Sequence, residues 1–340
     1  MEKPFIVFAL IVYCVALSPT EGAVSRTTFN VKGIIPAVFT PVDDDDKINF
    51  DIISQYAQYL KDNGIDGVQV ASTTGEGPSL TVRDKKKLID AWVKAAGPLG
   101  LTVIAQVGGI PLPDAEELAK YSEKAGVDAI MCLPELYYKA KNPEELVYFL
   151  QFISKAAPNT PVLYTDLAAY SGVNVNMVPF FQLATRRIPN FKGIETGDFN
   201  TALSLQKYLE KDQRIFIGDS PYLGPAALMG FDSFTNPDAN IFPKLVIDIV
   251  KNGRRGNLRQ TRSQFLKLRN LRELVIEQGN KPTSSLNNQL AAVKATMTLV
   301  TGIDVGPVLP PIRPLSDDQQ SSLQDALNED DVETYDSTRC

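Results

Sequence analysis

The chain contains no histidine. That removes Ser-His-Asp and Cys-His nucleophile pairs and every histidine-ligated metal site at once. Cysteine is scarce, with three residues in 340. Cys14 lies in an N-terminal apolar run, Cys132 inside the apolar stretch Ala129-Ile130-Met131-Cys132-Leu133, and Cys340 at the end of a polar tail. Cys132 reads as a buried core thiol, and a bridge between tails of two chains is the one disulfide left open. No Asn-x-Ser/Thr sequon occurs, so N-glycosylation is not expected. No block of Lys and Arg interleaved with aromatics is present and the net charge is −6, which argues against nucleic acid as a partner. The turn Pro41-Val42-Asp43-Asp44 lacks the Gly-x-Gly-x-x-Gly of a dinucleotide site, so no cofactor is expected. The run Asp43-Asp44-Asp45-Asp46 lacks the ligand spacing of a calcium loop. It reads as solvated surface, and no metal is expected.

One long apolar run exists, Phe5 to Leu17. A short basic start precedes it and small residues follow at Thr20-Glu21-Gly22-Ala23, the layout of a secretory signal cleaved after Gly22. The run is shorter than the ~20 residues of a spanning helix. The expectation is therefore a signal over residues 1–22, a secreted extracellular chain, and no membrane association of the mature form.

From residue 33 short β-like runs alternate with amphipathic stretches of helical length. Strands are predicted at Ile34–Thr40, Gly67–Ser72, Thr102–Val107, Ala129–Leu133, Pro161–Thr165, Phe191–Thr196, Arg214–Gly218 and Phe231–Thr235. Helices are predicted at Phe50–Asp62, Val82–Ala96, Pro113–Ala125, Pro143–Ala157 and Asn200–Leu209, each bounded by Gly, Pro or Asn. Eight such alternations predict an α/β fold, a (β/α)8 TIM barrel over residues 31–240. Leu258–Gln278 and Leu286–Val300 extend it into a C-terminal helical extension over 241–315. The acidic tail, 316–340, is expected to be partly disordered or a solvated helix.

Active sites of such barrels lie at the C-terminal ends of the strands. After the second strand, Ser72-Thr73-Thr74-Gly75-Glu76-Gly77 offers hydroxyls and turn N–H groups for a small anionic ligand. Together with Gly33–Pro41 and with Lys294-Ala295-Thr296-Met297-Thr298-Leu299-Val300-Thr301-Gly302 followed by Gly306-Pro307, this loop resembles the dihydrodipicolinate synthase and N-acetylneuraminate lyase family. The resemblance runs from about Val31 to Leu315, and the Lys294–Gly302 stretch is similar to the animal N-acetylneuraminate lyases.

That resemblance implies a class I, pyruvate-dependent aldolase on a (β/α)8 barrel, usually a homotetramer. In it a strand-six lysine forms an iminium with pyruvate, a strand-five tyrosine relays protons, and the Thr-Thr loop holds the pyruvate carboxylate. Carried across, Thr73 and Thr74 match the carboxylate pair. Tyr137 and Tyr138 resemble a Tyr-Tyr pair that in some members reaches across a subunit interface, which makes Tyr138 a substrate-binding candidate. The tyrosine position falls on Thr165, with Tyr164 one residue away and facing out unless the register shifts.

The lysine position falls on Glu195, in Gly193-Ile194-Glu195, and a carboxylate forms no Schiff base. Lys192 is three residues away, so strand alternation turns it toward the helices. Ser220 and Pro221 stand where the lyases of the family have an acidic pair, and strand eight ends in Thr235-Asn236-Pro237-Asp238 instead of a Gly-Ser/Val turn.

Four readings remain open: a secreted, inactive lyase-like protein with a binding or structural role; an active lyase or aldolase with a relocated lysine; an enzyme using Glu195 as a general acid or base, against a Glu195 merely neutralised by a partner; and a matrix protein acting through its acidic loop and tail.

Overall fold

The structure is a computed structural model that describes residues 29–218, 220–279, 286–330 and 332. The N-terminal apolar segment, Cys14 and Cys340 lie outside these residues.

Eight strands alternate with helices. In chain order they are β1 (Gly33–Ile34), α1 (Asp51–Asp62), β2 (Gly67–Val70), α2 (Val82–Ala96), β3 (Thr102–Gly108), α3 (Leu112–Ala125), β4 (Ala129–Leu133), α4 (Pro143–Ala156) and β5 (Val162–Asp166). The second half runs through the short α5 (Ala168–Ser171), α6 (Met177–Arg187), β6 (Phe191–Thr196), α7 (Phe199–Leu205), β7 (Arg214–Ile217), α8 (Leu223–Leu228), β8 (Ser233–Phe234) and α9 (Pro243–Arg254). Beyond come α10 (Leu258–Gly279), α11 (Leu286–Thr301) and α12 (Asp317–Glu329).

All strand pairs are parallel, in the order β1-β8-β7-β6-β5-β4-β3-β2. A lone parallel bridge between Ala37 and Gln69 draws the two ends of the sheet together. The seam there is narrow for a chemical reason: Pro36 has no N–H to donate, so it contributes only its carbonyl, to the Gln69 N–H at 2.9 Å. The result is the nearly closed (β/α)8 barrel that the strand count predicted, with helices outside and a helical extension at the C-terminus.

Strand alternation sorts the core into two layers. Ile35, Ile104, Ala129, Met131, Leu163 and Phe216 turn inward and, with Phe29, fill the barrel. The opposite faces pack on the helices around Tyr56, Trp92, Tyr164 and Phe180, all fully buried. Cys132 belongs to this outer layer as a free, buried thiol, and burial pushes its pKa up.

Over 317–329 the acidic tail takes the helical one of its two expected forms. One of its faces is not solvated: Leu323 and Leu327, four residues apart, are fully buried where α12 packs on α10 and α11. Its start is fixed by a capping box, Ser316 taking the Gln319 N–H while the Gln319 side chain takes the Ser316 N–H. Asp43 makes an ordinary turn, its Oδ1 accepting from the Asp45 and Lys47 N–H groups. Among the described residues no helix is long and apolar enough to cross a membrane.

Candidate active site

β6 fixes the centre of the site. Gly193 has φ +141°, and a Cβ there would lie 1.9 Å from the Arg214 carbonyl oxygen, so only glycine lets β6 approach β7 this closely. Two residues on, Glu195 points into the barrel and is buried. Its Oε1 accepts from the Thr235 hydroxyl at 2.6 Å and its Oε2 from the Gln69 amide at 3.2 Å. The Thr165 hydroxyl is a third hydrogen-bond partner. Gln69 also donates to Gln106 Oε1 at 2.8 Å, and Gln106 donates to Thr165 Oγ1 at 3.5 Å.

The site is thus a polar layer across the barrel interior. Gln69 comes from β2, Gln106 from β3, Thr165 from β5, Glu195 from β6, and Thr235 from just beyond β8. It lies directly on the apolar interior layer, since the Gln69 amide nitrogen also meets Met131 Sδ at 3.0 Å. One atom is left over: Gln69 Oε1 is buried and has no hydrogen-bond partner among the described residues.

Burial raises the pKa of Glu195, and the hydrogen bonds from Thr235, Gln69 and Thr165 only partly oppose this. Its partners are hydroxyls and an amide. Among the described residues no cation forms an ion pair with it, so the neutralising partner envisaged from the sequence is not a charged group.

The sign of the linkage follows. A carboxyl whose pKa is raised in the folded state contributes stability that is complete below its unfolded pKa and is lost as pH rises through the folded value. Glu195→Gln has no such titration. Its stability should hold where wild type declines, so the variant-minus-wild-type difference in denaturant midpoint should grow with pH above ~4.3, the ordinary glutamate value, and then level off. A difference that shrinks with rising pH would show that the carboxylate, not the acid, is the favoured buried form.

The other residues fall into two groups. Thr165 and Tyr164 separate cleanly: Thr165 pairs in register with Glu195 and joins its network. Tyr164 turns outward, its ring 4.9 Å from that of Phe180, and its buried hydroxyl has no partner among the described residues. Lys192 also turns away from the interior and is ion-paired with Asp212. Thr73 and Thr74 are half-buried in the tight turn after β2, shaped by Glu76 N–H to Thr73 O at 3.1 Å, Gly77 N–H to Ser72 O at 2.9 Å, and Thr40 Oγ1 to Gly75 O at 2.6 Å. Tyr138 is not brought to the cluster. It stands on the loop after β4, 83% exposed, edge-on to Tyr137 with ring centres 5.0 Å apart.

Two features of the rim were not foreseen. Glu76, in the Thr-Thr loop, is ion-paired at 2.8 Å with Lys294 of α11, both fully buried, and its other oxygen takes the Leu309 N–H. Lys294 also donates to Pro307 O at 2.6 Å. Two of the three segments that carried the family resemblance are therefore one physical unit, in which the extension sets the position of the loop. Across the rim, Arg272 of α10 pairs with Asp238 at 2.7 Å and donates to Ser220 Oγ at 3.2 Å, which also accepts from Asn236 at 3.0 Å. Ser220, Asn236 and Asp238, which lie among the positions expected to depart from the lyase pattern, are thus tied together by one network.

Gln69 and Gln106 escaped the sequence reading altogether. Their signal was a polar residue at an inward position of an otherwise apolar strand, in Gly67-Val68-Gln69-Val70 and Thr102-Val103-Ile104-Ala105-Gln106-Val107.

A parallel eight-stranded barrel, a polar layer toward its C-terminal end and a helical extension clamping the β2 loop define a (β/α)8 protein of aldolase type. The chain matches the Dihydrodipicolinate synthetase family over residues 30–330, and it belongs to that family. It is 31% identical over 281 residues to N-acetylneuraminate lyase A of Xenopus laevis, covering 82% of this chain and 89% of that protein. In structure it is similar to the N-acetylneuraminate lyase (sialic acid aldolase) of Aliivibrio salmonicida, with a TM-score of 0.81 at 25% identity over 89% of this chain and 98% of that one. A catalytic lysine mutant of the Ruminococcus gnavus sialic acid aldolase shares the fold, with a TM-score of 0.80 at 24% identity over 88% and 96% of the two chains.

Proposed function

We propose that this protein is an exported member of the family that has given up iminium chemistry and keeps its barrel for binding a small ligand. The observation that carries this reading is Glu195: the inward position of β6 holds a buried carboxyl, fastened by Thr235, Gln69 and Thr165. A carboxyl can donate or accept a proton but cannot condense with a ketone. The fold relative from Ruminococcus gnavus is described as having a catalytic lysine, and an aldolase of that kind needs an amine where this chain has an acid.

Among the described residues no buried lysine joins the Glu195 network. The buried lysines among the described residues are Lys85, Lys192 and Lys294. Lys192 is held by Asp212 and Lys294 by Glu76 and Pro307. Lys85 lies on α2, in the outer layer. Burial lowers its pKa to about 8, with Asp114 opposing. Thr165 in the tyrosine position removes the phenol as well, and Ser220 and Pro221, the first of them tied to Arg272, stand where the resemblance puts the lyases' acidic pair. Export is supported by the apolar segment at Phe5–Leu17, and a homo-oligomeric state by the family resemblance.

One experiment tests both parts. Protein recovered from the medium of expressing cells is incubated with pyruvate, reduced with borohydride and weighed intact. The expected mass is that of residues 23–340 with no pyruvyl adduct. An adduct that survives Lys85→Ala and Lys192→Ala would place an active amine in the barrel and overturn the loss of chemistry, while retention of residues 1–22 on cell-associated protein would overturn export alone.

A further inference from the structure

Residues 251–272 start at the N-terminal end of the barrel, on the side opposite the polar layer, and contain eight Lys and Arg and no Asp or Glu, in a chain of net charge −6. The helical period explains the concentration on one surface. In α10, Thr261, Leu268, Leu271 and Val275 are buried on the side that packs against the neighbouring helices α8, α9, α11 and α12. Arg259, Arg262, Leu266 and Arg269 follow at spacings of three and four, on the opposite, exposed face. Lys251, Arg254 and Arg255, at the end of α9, continue the stripe toward the barrel floor. There they line a cavity of about 430 Å³ with Gly33, Ile34, Asp66 and Asp232. The two carboxylates in that cavity are engaged within the fold: Asp66 Oδ2 accepts from the Ile34 N–H at 2.8 Å and Asp232 Oδ1 from the Ser233 hydroxyl at 2.9 Å.

Among the described residues, Lys251, Arg254, Arg255, Arg259, Arg262 and Lys267 have no ion-pair partner. This holds although the acidic helix α12 packs on α10. Lys251 and Arg254 complement the C-terminal end of the α9 dipole, but six exposed like charges over the end of α9 and the first half of α10 also repel one another. The exposed stripe from Arg259 to Arg269, ~15 Å along the axis and with Arg269 shared with Glu273, continues the charges at the end of α9 and matches an extended polymer carrying repeated negative charges. Guanidinium forks suit planar and tetrahedral oxyanions in particular.

We propose that this ridge binds a sulfated polysaccharide, with one sulfate seated at the cavity mouth between Lys251 and Arg254. Two features favour a polysaccharide over other polyanions. The only aromatic residue in 251–272, Phe265, is half-buried against Gly224, so bases have no stacking platform. The exposed apolar side chains of this segment, Leu258 and Leu266, have no exposed aromatic within 251–272 to make an interfacial helix. The choice of polymer leans on the export proposed above, whereas the anion-binding ridge does not, and the intact-mass experiment reports export separately.

The test measures binding of a size-defined heparin oligosaccharide to the full mature chain by calorimetry, across a salt series. Duplex DNA and anionic phospholipid vesicles serve as parallel probes. Wild type is expected to bind the oligosaccharide with an affinity that falls as salt rises. The quadruple variant Arg254→Gln/Arg255→Gln/Arg259→Gln/Arg262→Gln should bind about 100-fold more weakly, through loss of several released counterions. A control with the same charge change at the exposed lysines, Lys61→Gln/Lys94→Gln/Lys120→Gln/Lys124→Gln, should stay within about threefold, the long-range effect being screened. Absent oligosaccharide binding, equal loss in the control, or equally tight binding of DNA or vesicles would each overturn the proposal.

Discussion

Lys294→Met is expected to lower the stability of the protein by about 3–5 kcal/mol, because it leaves the Glu76 carboxylate buried without its counter-charge. The pair is fully enclosed, with 1% and 0% of the two side chains exposed. Every strong donor around Glu76 is already counted: Lys294 on Oε1, and the Leu309 N–H on Oε2. Removing the amine also strands the Pro307 carbonyl. The loss should appear as a lower urea midpoint with an unchanged slope.

The double variant Lys294→Met/Glu76→Gln should recover more than half of the loss. A neutral amide keeps an acceptor for the Leu309 N–H and removes the uncompensated charge, and replacing both members of a buried pair is far milder than replacing one. If the double variant were no more stable than the single one, charge burial would not be the cause, and lost packing around the lysine stem would take its place.

This pair also shows what kind of information the sequence held. Glu76 and Lys294 were each visible inside a motif, but 218 residues separate them, and no local pattern announces a contact at that range. The strands were legible because burial on both faces of a parallel sheet leaves continuous apolar runs. β4 and β6 fall at the predicted bounds, Ala129–Leu133 and Phe191–Thr196. β1 and β8 contract to two residues each, since only Gly33 with Ser233 and Ile34 with Phe234 are in register. The apolar residues of Ile34–Thr40 that lie beyond the pairing are buried all the same, so hydrophobicity alone overstated the strand. The charge of the tail left disorder and a solvated helix both open, and hid the buried face. Its composition is that of solvated chain, yet Ser316-Asp317-Asp318-Gln319 is a capping box and Leu323 and Leu327 make an i, i+4 apolar pair. Both signals were present and were outweighed by the count of acids.

The site was legible in outline only. Alternation along β5 and β6 was enough to send Thr165 and Glu195 inward and Tyr164 and Lys192 outward. It could not reveal that Gln69 and Gln106 would meet them, because that depends on the stagger of four strands around a closed barrel. Their amides matter for what the layer can do. In the present arrangement hydrogen bonds run from Gln69 and Gln106 toward Glu195 and Thr165, and Gln69 Oε1 is left over. Turning the Gln69 amide over would present that oxygen to Glu195, so the layer has an acceptor ready for a group that donates at position 195.

That reserve makes Glu195→Lys the sharpest test of what the barrel has kept. The new ammonium would find acceptors in the hydroxyls of Thr165 and Thr235 and in Gln69 Oε1, and burial would lower its pKa toward the neutral, nucleophilic amine. With pyruvate it should condense through nitrogen attack on the keto carbon and loss of water, and borohydride should then deliver hydride to the iminium carbon and leave a stable secondary amine. Intact mass is expected to show one pyruvyl adduct per chain in Glu195→Lys and none in wild type or Glu195→Gln. Peptide mapping should place the adduct at position 195, and Lys192→Ala added to the variant should not remove it. Cleavage of N-acetylneuraminate should stay at the blank level all the same. Thr165 has no phenol to relay protons, Tyr164 is packed outward on Phe180, and Arg272 ties Ser220 to Asp238 at the sugar end. A folded Glu195→Lys protein that takes up no pyruvate would mean that the amine position of the family does not fall on this residue. Turnover by it would mean that one carboxyl alone separates this chain from its lyase relatives.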